Sequence, residues 1–235
     1  MSRDVRDAGT PGAEERAALY ATLSGVFARE LTQEGWVRLC NREAQESLRE
    51  LAIDCGIEAE AAAWLQWVAA SDGRDPAATV EELAVDYARL FIGPGPGLAP
   101  PYESVYTSPT GRFYGEALSE VSELLRSEGI QVGEEFAAPA DHLAVELAIM
   151  RYLVEQGEVR AAESDAARAG GWRRQLEFLE GHLLPWVPRW AADVANAGGT
   201  DFYRAAAAML EGYLRRDQAW LRRALAGPAE QQVDG

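Results

Sequence analysis

The stretch Glu14-Glu-Arg-Ala-Ala-Leu-Tyr-Ala-Thr-Leu-Ser-Gly-Val-Phe-Ala-Arg-Glu-Leu31 sets Ala17, Leu19, Tyr20, Leu23, Val26, Phe27 and Leu31 on one apolar face at helical spacing. The same period returns along the chain. A second pattern runs through Trp36, Leu39, Cys40, Leu48 and Leu51, and a short one holds Trp64, Leu65, Trp67 and Val68 before the turn Ser71-Asp-Gly-Arg-Asp-Pro76. Further helices are expected over about 77–92, 115–128, from Pro139 through Leu143, Leu147, Met150 and Val154, over about 162–183, after Pro185, and over about 200–225. Leu, Ala, Glu and Arg dominate, β-branched residues are sparse, and no segment alternates apolar and polar residues for long. The expectation is an all-α fold: one compact domain of about eight or nine helices over residues 12–226, with disordered tails at 1–11 and 227–235.

Of the 235 residues 48% are hydrophobic and 26% charged, enough to bury one substantial core. The formal net charge of −16 argues against nucleic acid and anionic lipid, because phosphate binding rests on clustered Lys and Arg. The sign favours a cationic partner, or serves simply to keep the protein soluble. No apolar run reaches the roughly 18 residues of a membrane span, and residues 1–11 lack the apolar core of a secretory leader, so a cytoplasmic protein without stable membrane insertion is expected. Cys40 and Cys55, the only cysteines, have no metal-ligand spacing and read as reduced thiols.

Two segments break the helical monotony. Gly93 to Pro101 packs four prolines and three glycines into nine residues, which excludes helix and central strand and leaves an exposed, semi-rigid connector. It lacks the Gly-Lys-Ser/Thr ending of a phosphate loop, and Pro94 and Pro96 remove backbone donors such a cradle would use. Aromatics flank it, at Tyr87, Phe91, Tyr102 and Tyr106. The second segment, Pro139-Ala-Asp141-His142-Leu-Ala-Val-Glu146, opens a helix, with Asp141 placed in its first turn to cap it. His142 and Glu146 share a face, yet a zinc site needs a third ligand that the spacing does not supply, so no metal and no cofactor are expected. A hydrolase built on His142 with Ser104 as nucleophile lacks the Gly-x-Ser-x-Gly elbow, so no catalytic residue is assigned. What remains is a peptide-holding groove between the two segments, with the aromatics as contact area and Glu103, Asp141 and Glu146 as acceptors for a basic peptide. The same aromatics serve equally well as core.

Three blocks in order resemble the TorD/DmsD/NarJ family of maturation chaperones for molybdoenzymes: Tyr87-x-x-Leu90-Phe91 leading through the Gly/Pro loop to Pro101-Tyr102-Glu103-Ser104-Val105-Tyr106; Pro139-x-Asp141-His142-Leu143-x-x-Glu146-Leu147-x-x-Met150; and Phe178-Leu-x-x-His182-Leu-x-Pro185-Trp186. The resemblance spans about residues 14–215. It implies an all-helical TorD-like fold, no catalytic turnover, and the binding of a twin-arginine signal peptide or the apo catalytic subunit of a molybdoenzyme until its cofactor is inserted, by a monomer or homodimer. Carried onto this sequence, the client-binding candidates are Leu90, Phe91, Pro101, Tyr102, Glu103, Tyr106, Asp141, His142 and Glu146. An alternative within the family grips a client region other than the leader, as NarJ-like members suggest.

Overall fold

The computed structural model describes residues 11–93, 97–109, 113, 115–130 and 138–226. Both expected tails lie outside these residues, apart from Pro11, as do the middle of the Gly/Pro loop and most of the stretch before Pro139. Eleven α-helices are present among the described residues: α1 (Ala13–Ala28), α2 (Gln33–Cys40), α3 (Arg42–Asp54), α4 (Glu58–Ala70), α5 (Pro76–Tyr87), α6 (Glu103–Thr107), α7 (Glu116–Ser127), α8 (Leu143–Ala161), α9 (Asp165–Phe178), α10 (Val187–Asn196) and α11 (Asp201–Ala226). The fold is all-α, as the periodicity predicts.

The count exceeds the expected eight or nine for two local reasons. Asn41, extended at φ −63° and ψ 129°, divides what reads as one pattern from Trp36 to Leu51, and its side chain accepts from the Glu43 and Ala44 amides to start α3. The five-residue α6, too short to show a period, follows the Gly/Pro loop. Two helices continue as π-turns, α5 through Ala88–Ile92 and α9 through Leu179–Leu183. Each lies in one of the three blocks. π-turns mark places where a side chain must be re-aimed off the ordinary helical face.

Helix α1 packs on α8, α8 on α9, and α11 packs on α4, α9 and α10. Helices α8 and α9 approach closely because glycines face each other: a Cβ on Gly171 would stand 3.0 Å from the Gly157 Cα. At the crossing of α1 and α11 the buried Arg16 guanidinium meets Asp217 at 2.6 and 3.0 Å and lies 4.4 Å from the Trp220 ring centroid, while Tyr20 donates to the same carboxylate at 2.7 Å. Sequence periodicity puts Arg16 beside the apolar stripe and gives no sign of this pairing across 201 residues. An aromatic cluster fills the centre, where the Phe91 ring centroid lies 5.0 Å from Tyr87, 5.4 Å from Tyr203, 6.0 Å from Trp190 and 6.1 Å from Phe27.

Candidate functional site

The three blocks, far apart in sequence, converge on one buried polar hub. The Gly/Pro loop turns back on the π-turn that precedes it: Ala99 N–H donates to the Leu90 carbonyl at 2.8 Å, and the Trp190 indole N–H donates to the Ala99 carbonyl at 3.1 Å. Only glycine fits at 97, since a Cβ there would come within 2.5 Å of the Leu90 oxygen. The chain then runs extended past the start of α8. Glu103 N–H donates to the Asp141 carbonyl and Leu143 N–H to the Pro101 carbonyl, both at 2.9 Å, pairing Tyr102 with His142 as an isolated antiparallel bridge.

This pairing corrects the expectation that Pro139 is the first helical residue. Residues 139–142 form a turn, closed by His142 N–H donating to the Pro139 carbonyl at 3.0 Å, and α8 begins at Leu143. His142 is its N-cap: Nδ1 accepts from the Ala144 amide at 3.1 Å, which places the ring proton on Nε2. Burial pushes the imidazole down to about 4, so it stays neutral. Asp141 caps a different helix from the one expected. Its carboxylate accepts from Ser104 N at 3.2 Å and Ser104 Oγ at 2.5 Å, anchoring α6.

Behind this seam lie the remaining acids. Glu103 Oε2 stands 3.0 Å from His182 Nδ1, and Trp186 Nε1 donates to Glu146 Oε2 at 3.2 Å. Burial raises the Glu146 carboxyl well above the usual carboxylate range, and the neighbouring charge of Glu103, to which it is hydrogen-bonded, raises it further. Its buried Oε1 has no hydrogen-bond partner among the described residues. Third-block residues His182 and Trp186 are thus hub members. Treating His182 as an isolated helix-end histidine misses this, because its partner lies 79 residues away.

Of the nine candidates only Tyr102 is half-buried; Leu90, Phe91, Pro101, Glu103, Tyr106, Asp141, His142 and Glu146 are buried. The loop and the helix start do approach each other, as the groove reading requires. At residues 101–103 and 141–143 they meet in direct hydrogen bonds, so no peptide-wide channel separates those residues. Tyr106 stacks on Trp186 at 5.5 Å, and the Arg189 guanidinium lies 5.4 Å from the Tyr106 ring centroid. Tyr102 faces His142 at 4.9 Å and Phe113 at 5.1 Å, and Ile92 and Leu98 in the loop are exposed. For nucleophilic chemistry the orientations are wrong: Ser104 directs its hydroxyl at Asp141, and His142 Nδ1 is taken up by a backbone amide. No cluster of three or more potential metal ligands occurs among the described residues, and no described helix is long and apolar enough to cross a membrane.

Known proteins resemble this chain in sequence. The family model described as "Nitrate reductase delta subunit" matches residues 33–192, and the chain belongs to that family. Relatives named "Chaperone protein TorD" include one from Shewanella sp. (strain MR-4), 32% identical over 215 residues and covering 89% of this chain and 95% of that one. Another, from Vibrio cholerae serotype O1 (strain ATCC 39315 / El Tor Inaba N16961), is 29% identical over 205 residues, covering 87% and 91%. A solved structure from Archaeoglobus fulgidus, assigned to redox enzyme maturation, aligns with a TM-score of 0.45 at 20% identity over 94% of this chain and 100% of that one.

Proposed function

We propose that this protein is a cytoplasmic maturation chaperone for a molybdoenzyme, holding the twin-arginine signal peptide or another segment of the apo catalytic subunit until the cofactor is in place, without turnover of its own. The observation that carries the proposal is the convergence of the three blocks on one hub, in a chain whose relatives are named chaperones. The buried candidates Leu90, Phe91, Pro101, Glu103, Tyr106, Asp141, His142 and Glu146 act from beneath: they fix the loop against α8 and so shape the surface on which Tyr102, Ile92 and Leu98 meet the client. The excess of acids over bases, 38 to 22, supports a client segment bearing cations.

The test is capture from a host in which molybdopterin synthesis is switched off. An apo catalytic subunit should co-purify with the chain and leave when synthesis is restored; deleting the client's leader then separates leader binding from binding of the mature region. A chain that retains no oxidoreductase subunit in either condition refutes the proposal.

A further inference from the structure

Away from the hub, α1, α3 and α4 enclose an open groove of about 570 Å³, within the range of roughly 300–1,000 Å³ typical of ligand clefts. None of its lining residues belongs to the three blocks. Its floor is apolar, built from Leu39, Leu48, Leu51, Trp64, Leu65 and Val68. Its rim carries Glu14, Glu15, Glu50 and Asp54 and not one Lys or Arg. Among the described residues no arginine pairs with Glu14, Glu50 or Asp54, whereas Glu46 on α3 is held by Arg42. Trp64 is fully buried in that floor.

The charge is gathered at one end. The buried Cys55 thiol, next after α3, is pushed up to about 12 by burial and then by the charges of Asp217, Glu15 and Asp54 against Arg16, so the start of α1 and the end of α3 lie together. The lining residues of α1 run from Glu14 to Thr22 and those of α3 from Ala44 to Asp54, a length of about 12–15 Å at 1.5 Å per residue. That is two to three helical turns, with apolar floor leading away from an acidic end.

We propose that this groove docks a short helical segment of a partner protein that carries cationic side chains at one end and an apolar face over the next two to three turns. Apolar anchors at i, i+3, i+4 and i+7 match the floor, and the acidic rim fixes the direction of the segment. The proposal rests on the peptide-holding reading above and assigns that activity a second surface, separate from the hub.

The probe is a fluorescein-labelled peptide of about 16 residues, two arginines followed by a leucine-alanine run, long enough to cover the groove as a helix; in a control the arginines are replaced by glutamate. Titrated by anisotropy at low salt, the arginine peptide should bind and the control should not. Glu50→Lys together with Asp54→Lys, both exposed, should weaken binding about tenfold, an effect that shrinks with salt as rim charges are screened. Ser47→Trp, which sets a ring across the groove, should weaken it at any salt. Circular dichroism of each variant should match the wild type. Binding that survives all these substitutions but is lost in Tyr102→Ala overturns the groove while the peptide-holding reading stands. No binding of the arginine peptide to the wild-type chain overturns the groove, and the capture experiment above decides the peptide-holding reading separately.

Discussion

Replacing His142 by Asn should make the protein resist acid. The imidazole is neutral in the fold because burial holds it at about 4, against an ordinary value of 6.5. The unfolded chain takes up a proton as pH falls through 6.5, while the folded chain refuses it until about 4. Stability from this group is therefore fully present above pH 6.5, is lost as pH falls, and levels off below 4. At about 1.4 kcal/mol per pH unit the window of about 2.5 units corresponds to about 3 kcal/mol. Asn is the right substitution because its side-chain oxygen can take the Ala144 amide that Nδ1 now accepts, keeping the N-cap without the titration. Equilibrium urea unfolding of both proteins at several values from about pH 7.5 to about pH 4.5 reads the effect, and taking the difference between them cancels every other titrating group. The Asn variant should gain on the wild type by about 3 kcal/mol across the series, mostly in its acidic half. A difference that stays flat with pH would falsify the assignment of His142 as a buried neutral cap.

Two further substitutions probe the hub and the clamp. Glu146→Gln should gain stability relative to the wild type as pH rises above about 4.5, by about 1.4 kcal/mol per unit until the raised carboxyl of Glu146 itself ionises, because Gln never has to hold a proton in the fold; denaturant midpoints that instead favour the wild type at higher pH mean that Glu146 is ionised when folded. Asp217→Ala strips the partner from an Arg16 that is 1% exposed and should cost about 3–5 kcal/mol, whereas Arg16→Met combined with Asp217→Leu should recover most of it; equal losses in single and double variants, read from thermal unfolding, would show that packing around Trp220, not charge, holds α1 to α11.

Helical period is a local signal, so the sequence shows the α-class, the apolar faces of α1, α8 and α11 and the break at the Gly/Pro loop. Boundaries depend on single side chains acting on particular amides. Asn41 starting α3 is masked by the single apolar pattern that runs across it, although Asn is among the best N-cap residues. His142 is not legible either, because imidazole caps are uncommon and the more ordinary cap, Asp141, stands next to it in sequence but serves α6, 37 residues away. The hub shows the same division. Glu103, Asp141, His142 and Glu146 stand out by residue type and spacing alone, while their pairing with His182 and Trp186 is set by how α8, α9 and α10 stack.

Burial of the hub changes what its residues can contribute. Three carboxyl groups and two imidazoles sit at the meeting of the loop, α6, α8 and the π-turn after α9, where each must find a partner or give up its charge. Glu146 does so with a carboxyl raised well above the usual range, His142 by refusing a proton, Asp141 by taking two donors from Ser104, and Glu103 by facing His182. Apolar residues would fill the same space with less penalty, but they would not specify one register for a loop rich in glycine and proline. The polar partners do: Tyr102 can meet His142 in only one way if Ser104 is to reach Asp141 and Glu103 is to reach His182. The semi-rigid connector is thereby fixed at its C-terminal end, with Ile92 and Leu98 exposed on either side of its middle. Ionisable groups inside fix the geometry and apolar contact area lies outside, an arrangement that fits the proposed holding of a client.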